Sequence, residues 1–461
     1  MIEHFKKLLG ADSVLTESSE LQFYGKDHSK EFTANPSCIL LPKDEQQIKE
    51  ILSYCNENKI SIVPSGGRTG YSGAAYATDK EVVLSLEKLN KIIEVNKIDR
   101  TITCQAGVVT EKIQQAALEN GFYYPVDLAP KGSSHIGGNI ATNAGGVRVI
   151  RYGSTHSWIL GLKVILADGT TLNLNGSLYK NQTGYDLRSL FIGSEGTLGI
   201  VVEATMKLTT PPKNPAVILF GCSSLQHIVE LYAAFRETPF TISAFECFTD
   251  RCLKLVLKHT DLSNPFSETY PAYGLVEIES ISEQEQIVDD FFQKLLSDEI
   301  IRDAVVSQNS KQYKDFWAYR ERISETLAAH EVPHKNDVAV PISAIPNFVA
   351  SLDQLLAKEY SNFETIVFGH IGDGNLHVNT LKPGQMKIDD FLTLAKELDT
   401  ELFQLVQSFQ GSISAEHGIG LLKKAQLHYS RTNEEIELMR KIKKVFDPNG
   451  ILNPGKIFDI K

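Results

Sequence analysis

Three glycine-dense loops occur in the N-terminal half of the chain, at 66–73, 137–146 and 193–199. A backbone can approach the phosphates of a ligand closely only where side chains are missing, and glycine loops of this kind are typical of phosphate-binding sites. Each loop taken singly is compatible with an ordinary tight turn. Three of them in one region predict a site for a large phosphate-bearing ligand.

These loops do not follow the best-known nucleotide-binding patterns. None shows the G-x-G-x-x-G spacing after a strand, and no G-x-x-x-x-G-K-[ST] loop occurs. Gly418-Ile-Gly420 comes closest to the first pattern, but Lys423 stands where the third glycine is required. A nicotinamide cofactor in a standard fold is therefore not expected.

The first glycine loop follows a predicted strand–helix–strand unit. Residues 38–41 and 60–63 form short apolar strands, and Asp44 can cap the helix between them. The apolar residues of this helix recur at spacings of three and four, and they are Ile48, Ile51, Leu52 and Cys55. A helical crossover requires the two strands to be parallel.

Composition narrows the class of protein. With 461 residues, 42% of them hydrophobic, the chain is expected to form two or three folded domains. Its net charge of -11 disfavours nucleic acid as a partner. The sequence contains no apolar run of about 20 residues, so no membrane span is predicted. The first residues do not have the pattern of a signal peptide. The six scattered cysteines lack a C-x-x-C pair, which favours reduced thiols and a cytoplasmic location.

A domain boundary is predicted at Thr209-Thr-Pro-Pro-Lys213, because paired prolines interrupt both helices and strands. Beyond it, strand-like runs such as 216–220 and 273–278 alternate with long helical stretches such as 311–328 and 388–409. This order is typical of an α+β domain in which helices pack on an antiparallel sheet.

Two histidines flank a predicted turn at Gly372-Asp-Gly-Asn375, between two strand-like runs. If the hairpin closes in simple register, His370 faces His377. Directly opposed residues have Cβ atoms about 4.5–5.5 Å apart, which would let two imidazoles share one ion. Two sheet histidines that are merely hydrogen-bonded are the more common alternative.

A third candidate ligand is Glu416, which directly precedes His417. Adjacent side chains diverge, so one can bind a metal while the other takes part in chemistry. Two histidines and one glutamate with coordination positions left open are typical of catalytic metal sites. The spacing alone leaves both this interpretation and an ordinary loop ion pair open.

A candidate anion site lies in a predicted helix. Arg320 and Ser324 are four residues apart and share a helix face, and Lys335 follows at the start of a predicted strand. Arginine offers a bidentate fork to a carboxylate, and serine can add a hydroxyl donor. The alternative is that Arg320 and Arg322 pair with neighbouring glutamates on a solvated face.

Several motifs together carry a resemblance to a known family. They are Pro64-Ser-Gly-Gly-Arg-Thr-Gly70, Gly137-Gly-Asn-Ile-Ala-Thr-Asn-Ala-Gly-Gly146, Arg151-Tyr-Gly153 and Gly193-Ser-Glu-Gly-Thr-Leu-Gly199. They resemble the FAD-binding domain of the vanillyl-alcohol-oxidase type. The C-terminal motifs resemble the FAD-linked D-2-hydroxy-acid dehydrogenases, which include D-lactate dehydrogenase, the glycolate oxidase catalytic subunit and D-2-hydroxyglutarate dehydrogenase. Lys131-Gly-Ser-Ser-His-Ile-Gly-Gly138 and Asn181-Gln-Thr-Gly-Tyr-Asp-Leu187 are most similar to the last of these.

The resemblance implies a set of FAD contacts. They are Ser65, Gly66, Gly67, Arg68, Thr69, Gly70, Ser72, Ser133, Gly137, Gly138, Asn139, Thr142, Gly146, Glu195, Gly199, Ile200 and Asn453. Residues 66–70 and Ser72 would embrace the pyrophosphate, and Glu195, Gly199 and Ile200 would lie at the adenosine side. Some relatives bind FAD covalently through a histidine at the position of Arg68. Arginine cannot form that bond, so non-covalent FAD is expected.

The resemblance also implies the architecture. The expected fold is α+β, with a two-part FAD-binding domain of the vanillyl-alcohol-oxidase (PCMH) type and a ferredoxin-like antiparallel-sheet substrate, or cap, domain. The FAD-binding domain is expected at 1–212 and the substrate domain at 213–410. The segment 411–461 is expected to return to the FAD-binding domain.

The resemblance assigns roles to the candidate site residues. His370, His377 and Glu416 would bind a divalent metal, with zinc the first choice and manganese and iron left open. His417 would be the general base and contact the substrate, and Asn379 would touch the substrate carboxylate or hydroxyl. In D-2-hydroxyglutarate dehydrogenase, residues at the positions of Arg320, Ser324 and Lys335 bind the distal carboxylate; some relatives have threonine in place of Ser324.

The sequence therefore predicts an FAD-dependent, metal-assisted dehydrogenase of a small anionic D-2-hydroxy acid, with D-2-hydroxyglutarate or another dicarboxylic acid such as D-malate favoured. Alternatives are a D-lactate or glycolate dehydrogenase and a flavin transferase resembling alkylglycerone-phosphate synthase. A third is an electron-transfer subunit in which the two histidines and Glu416 are structural. The electron acceptor is left open between electron-transfer flavoprotein, a quinone and a cytochrome. Peripheral membrane association and a homodimer are also left open.

Overall fold

The structure is a computed structural model that describes residues 1–29, 31–279 and 285–460. The chain forms two compact units. The first comprises Met1–Gly146, Gly153–Pro211 and Glu416–Lys461, and the second Val147–Tyr152 and Pro212–Ala415. No helix among the described residues is both long enough and apolar enough to cross a membrane.

The first unit combines two sheets with peripheral helices. Its helices are α1 (Ile2–Leu9), α2 (Ser18–Tyr24), α3 (Glu45–Asn58), α4 (Thr110–Glu119), α5 (Ile136–Thr142), α7 (Arg188–Phe191) and α14 (Asn433–Phe446). Its strands are β1 (Val14–Leu15), β2 (Cys38–Leu40), β3 (Ile62–Ser65), β4 (Val82–Ser85), β5 (Ile92–Asn96), β6 (Thr101–Gln105), β7 (Ile159–Ile165), β8 (Thr171–Leu174) and β9 (Ile200–Lys207).

The smaller sheet has the order β1-β2-β4-β3, and the larger one is antiparallel with the order β5-β6-β9-β7-β8. Strands β2 and β3 both pair in parallel with β4, which confirms the predicted parallel arrangement. Helix α3 begins after Asp44, whose side chain accepts a hydrogen bond from the backbone of Gln47. The four predicted apolar residues of α3 are all buried, so the amphipathic pattern selected the correct face.

The end of the chain completes the first unit. The backbone N–H of Ile62 donates to the carbonyl of Ile451, and that of Asn453 donates to the carbonyl of Ile62. Lys443 of α14 forms a buried ion pair with Asp447 and also donates to backbone carbonyls. The first glycine loop, which begins at the end of β3, is therefore supported by residues nearly 400 positions away in the sequence.

The second unit is built around one antiparallel sheet. Its helices are α6 (Val149–Tyr152), α8 (Leu225–Arg236), α9 (Asp250–His259), α10 (Glu285–Ser297), α11 (Ser310–His330), α12 (Ile345–Glu359) and α13 (Ile388–Ser408). Its strands are β10 (Ala216–Cys222), β11 (Thr241–Thr249), β12 (Ala272–Glu279), β13 (Asp303–Val306), β14 (Pro333–Ala339), β15 (Glu364–His370) and β16 (Asn375–Leu381).

The seven strands follow the order β13-β10-β12-β11-β15-β16-β14. Helices α9 and α11 pack on one face through residues such as Phe248, Leu275 and Trp317. Helix α8 packs on the other, where Phe220 and Phe235 meet edge to face. Every residue of β12 is buried because helices cover both faces. Helices on an antiparallel sheet here, together with one mixed and one antiparallel sheet in the first unit, confirm the predicted α+β class.

Candidate active site

The first glycine loop turns away from β3 where side chains have no room. A Cβ atom on Gly67 would lie 2.2 Å from the carbonyl oxygen of Ser133. Arg68 has a left-handed backbone with φ of 59°, and its guanidinium lies 4.6 Å from the ring centroids of Phe23 and Tyr24. The arginine side chain is therefore held by two aromatic rings, which keeps the turn in one conformation.

The second glycine loop contains both crowded and open positions. A Cβ on Gly146, where φ is 99°, would lie 2.0 Å from the carbonyl oxygen of Asp127. A Cβ on Gly137 would lie 2.8 Å from the Cβ of Ala106. A Cβ on Gly138, in contrast, would have no heavy atom within 4 Å. Gly138 thus leaves open space where the other two are required by close packing.

Several buried polar atoms in the first unit lack a hydrogen-bond partner within the described residues. They are the Oγ atoms of Ser65 and Ser72, Nδ1 of His135 and Oδ1 of Asn453. Buried polar groups are normally paired, so a cluster of orphaned ones fits a bound polar ligand. These donor and acceptor groups, the open space at Gly138 and the glycine loops fit a flavin dinucleotide. His135 was not among the predicted FAD contacts, although it lies in the motif at 131–138, because the motif does not indicate which of its side chains faces a ligand.

Glu195, in the third glycine loop, is engaged by backbone rather than by side chains. Its carboxylate accepts hydrogen bonds of 2.8 Å from the N–H groups of Ile419 and Gly420. Burial raises the pKa of Glu195 from 4.5 to about 7, against the lowering effect of those two amides. Asn453 donates to the carbonyl of Glu195 at 2.7 Å. The carboxylate expected at the adenosine side therefore anchors the loop that follows His417.

The remaining predicted FAD contacts already have partners or packing roles inside the first unit. Asn139 donates to Thr110 at 2.6 Å, and Thr142 donates to the carbonyl of Gly138. A Cβ on Gly199 would lie 2.6 Å from Val164. Ser133, Thr69, Gly70, Gly66 and Ile200 lie in or beside the same loops. Their contacts with a cofactor stay a prediction.

The two candidate metal-binding histidines lie on one hairpin of the second unit, but not in the predicted register. His370 pairs with Asn375, and His377 pairs with Phe368. The prediction that His370 directly faces His377 was wrong, because residues 371–373 form a turn of 3-10 helix that ends at the left-handed Gly374. The two rings still lie on the same face as diagonal neighbours, with centroids 5.3 Å apart.

A buried carboxylate lies behind each histidine. Oε1 of Glu246 lies 2.7 Å from Nδ1 of His370, and Oδ1 of Asp337 lies 3.9 Å from Nδ1 of His377. Glu246 is fully buried and Asp337 is 1% exposed. A carboxylate hydrogen-bonded to Nδ1, as Glu246 is to His370, orients the imidazole and leaves Nε2 as the atom that can bind a metal. Both carboxylates were missed, because they are distant in sequence from the histidines. Glu246 lies in an apolar strand, and Asp337 lies in a polar strand without a recognisable motif.

The predicted anion-binding residues differ in burial. Arg320 of α11 is 5% exposed and lies over Phe368, with 4.6 Å between its guanidinium carbon and the ring centroid. Its Nε pairs with Glu246 at 2.8 Å, and its Nη2 is buried without a hydrogen-bond partner in the described chain. Ser324 and Lys335 are exposed. Lys335 pairs directly with Asn379, which is 3% exposed and donates to the carbonyl of Ile366.

Glu416 and His417 begin the last segment of the first unit. Glu416 follows Ala415, the last residue of the second unit, and its Oε1 accepts a hydrogen bond of 3.2 Å from the N–H of Gly146. The ring of His417 lies 5.1 Å from that of Tyr71, between ring centroids. Both side chains are half-buried. The second glycine loop thus contacts the predicted metal-binding carboxylate.

Comparison with known proteins defines the class. Residues 211–457 match the family model of FAD linked oxidases, C-terminal domain, and residues 36–175 match that of the FAD binding domain. The chain belongs to the family of FAD-linked oxidases and is an FAD-dependent oxidoreductase. The predicted family resemblance is confirmed.

Individual relatives are similar over nearly the whole chain. The D-2-hydroxyglutarate dehydrogenase of Stutzerimonas stutzeri is 47% identical over 99% of this chain and 98% of its own length. The mitochondrial D-2-hydroxyglutarate dehydrogenase of Danio rerio is 37% identical over 99% of this chain and 84% of its own. The solved structure of p-cresol methylhydroxylase has a TM-score of 0.80 at 19% identity, covering 100% of this chain and 96% of that one. The last likeness concerns the fold and confirms the vanillyl-alcohol-oxidase type.

Proposed function

We propose that this protein oxidises D-2-hydroxyglutarate, or a closely related dicarboxylic D-2-hydroxy acid, to the 2-oxo acid with the help of one divalent metal. The relatives named D-2-hydroxyglutarate dehydrogenase support the choice of substrate. The observation that carries the proposal concerns one group of side chains in the second unit. The imidazoles of His370 and His377 each have a buried carboxylate near Nδ1, and the buried Arg320 pairs with one of these carboxylates.

The metal site consists of His370, His377 and Glu416, which can each offer one ligand atom. Two neutral nitrogens and one carboxylate suit zinc, and manganese and iron are also compatible. A divalent ion, when bound, lowers the pKa of a hydroxyl group that it contacts. The hydrogen bond between Nδ1 of His370 and the buried carboxylate of Glu246 fixes which ring nitrogen of His370 faces the ion.

The first unit supplies the cofactor site. Its glycine loops and orphaned polar atoms would hold FAD, which accepts a hydride when bound. Arg68 occupies the position at which a histidine would be needed for a covalent bond, so we propose that FAD is dissociable. We also propose that 1–212 and 411–461 serve FAD binding and that 213–410 serves the substrate.

The chain's own residues bind the substrate and move its proton. His417 takes the proton from the 2-hydroxyl group, since an imidazole can act as a general base. Asn379 contacts the adjacent carboxylate or hydroxyl. Arg320 directs Nη2, which has no hydrogen-bond partner among the described residues, at the distal carboxylate. Ser324 and Lys335 add a hydroxyl group and a positive charge. Monocarboxylic acids such as D-lactate lack the group that these three residues would bind.

An anaerobic bleaching experiment tests the proposal. The flavin absorbance of the purified holoprotein is recorded with D- and L-2-hydroxyglutarate, D-malate and D-lactate. We expect rapid bleaching by D-2-hydroxyglutarate, weaker bleaching by D-lactate and none by the L enantiomer. If D-lactate bleaches the flavin faster than every dicarboxylic acid, the assigned substrate is wrong. If no 2-hydroxy acid bleaches it, the substrate class is wrong.

A further inference from the structure

The carboxylate of Glu246 lies between a residue proposed to bind the metal and one proposed to bind the distal carboxylate. Its Oε1 lies 2.7 Å from Nδ1 of His370, and its Oε2 lies 2.8 Å from Nε of Arg320. Glu246 has no exposed surface. We propose that Glu246 is a positioning residue that fixes His370 and Arg320 against each other, so that one carboxylate sets both ends of the substrate site. This inference rests on the proposed function.

The contact with His370 selects a tautomer. A carboxylate can only accept a hydrogen bond, so Nδ1 of His370 must carry the proton. The lone pair of Nε2 is then available to the metal. A histidine held in this way is a better metal ligand than a free one, and loss of such a partner typically weakens metal affinity about 10–100-fold.

The contact between Glu246 and Arg320 involves only one end of the guanidinium group. Nε lies 2.8 Å from Oε2 of Glu246 in an ion pair that lacks hydrogen-bond geometry, while Nη2 is buried without a hydrogen-bond partner among the described residues and has no such carboxylate beside it in an ion pair. Leaving a buried arginine without any carboxylate is strongly destabilising. Glu246 therefore holds the Arg320 guanidinium in place, and the Nη end remains for a second carboxylate. The Phe368 ring, 4.6 Å from the guanidinium carbon, limits its movement on one side.

The alternative is that Glu246 merely ties α11 to the sheet. Glu277 offers a matched control for this possibility. It lies on the neighbouring strand β12, is also fully buried, and accepts hydrogen bonds from Arg148 and Trp317. None of these three residues belongs to the proposed site. A glutamine at either position removes one buried negative charge, but only the change at Glu246 reaches His370 and Arg320.

The experiment compares Glu246→Gln, Glu246→Asp and Glu277→Gln in the FAD-loaded full-length protein. Zinc affinity is measured by competition with a chromophoric chelator, and KM is measured for D-2-hydroxyglutarate and for D-lactate. We expect Glu246→Gln to lower zinc affinity about 10–100-fold and to raise KM for D-2-hydroxyglutarate more than KM for D-lactate. Glu246→Asp keeps the charge and should recover part of both losses. Glu277→Gln should lower thermal stability and leave zinc affinity unchanged.

The inference is overturned if Glu246→Gln loses thermal stability but keeps the zinc affinity and the KM ratio of the wild type. Should neither Glu246 variant fold, the tautomer of His370 in the metal-free wild type decides, measured with ¹⁵N-labelled histidine and assigned with His370→Gln. A proton on Nδ1 supports the inference, and one on Nε2 contradicts it. A wild type that binds no zinc would instead refute the proposed metal site.

Discussion

At the scale of single residues, buried carboxylates organise both units. Glu246 and Asp337 lie behind the two candidate metal-binding histidines, and Glu195 holds the backbone that follows His417. Each is at least 95% buried, so each is retained only because strong partners offset its desolvation. The sequence motifs identified the two histidines but not the carboxylates near them, because a single acidic residue that is buried in a strand leaves no recognisable sequence motif.

Glu195 should make the stability of the protein depend on pH. Because burial raises its pKa from 4.5 to about 7, the folded protein binds this proton more tightly than the unfolded chain does. Its contribution is present at low pH and is lost as pH rises through about 7, which should lower the free energy of unfolding by up to about 3 kcal/mol. Asp27 and Lys456, the neighbouring charges, are present in wild type and variant alike.

The test is urea unfolding of the FAD-saturated wild type and of Glu195→Gln at several pH values between 4.5 and 7.5. We expect the difference in free energy of unfolding between the two proteins to change steadily across this window. The exposed Glu119→Gln serves as the control and should track the wild type. A constant difference between wild type and Glu195→Gln would show that this carboxyl group does not titrate there.

At the scale of secondary-structure elements, local sequence patterns predicted helices and strands, whereas tertiary contacts determined details such as the register of a hairpin. The capped α3 and the parallel strands β2 and β3 on either side of it follow directly from apolar periodicity and the capping residue Asp44. The His370–His377 hairpin does not follow the predicted register, because its loop spans 371–374 and contains a 3-10 turn, one position before the predicted turn at 372–375. Its histidines are near each other nevertheless, since diagonal neighbours on one sheet face remain within reach.

Substitutions in the second glycine loop can separate effects on packing from effects on ligand binding. Gly138 lies in α5 with an ordinary helical backbone, and a Cβ atom added to it would have no heavy atom within 4 Å. Replacing it by alanine should stabilise FAD-free protein by up to about 1 kcal/mol, because alanine favours helix. The same Cβ would occupy space proposed for FAD, so Gly138→Ala should weaken FAD binding at least tenfold.

Gly67→Ala is the matched comparison, because its Cβ would lie 2.2 Å from the Ser133 carbonyl oxygen. It should lower the melting temperature of the FAD-free protein as well as FAD affinity. Thermal melts and fluorescence titration with FAD provide both readouts. Wild-type FAD affinity in Gly138→Ala would mean that the cofactor does not approach this helix.

At the scale of the whole molecule, the proposed function requires a chain with a net charge of -11 to bind an anionic substrate. In the proposed site, a buried arginine, an exposed lysine and a divalent ion would act at short range, where the global field is weak. The order of residues in the sequence does not reveal which segments come together in the fold. The first unit is assembled from three segments, and no local pattern indicates that residues near 420 and 453 contact loops near 72 and 195.

The account as a whole depends on an ion bound by His370, His377 and Glu416 in a protein that also carries FAD. Its most direct test is the metal and flavin content of the holoprotein, followed by anaerobic bleaching with D-2-hydroxyglutarate before and after exhaustive EDTA dialysis. We predict one divalent ion per FAD, loss of bleaching together with loss of the ion, and recovery when zinc is restored. A protein that holds stoichiometric FAD but no metal, and bleaches at full rate after dialysis, would contradict it.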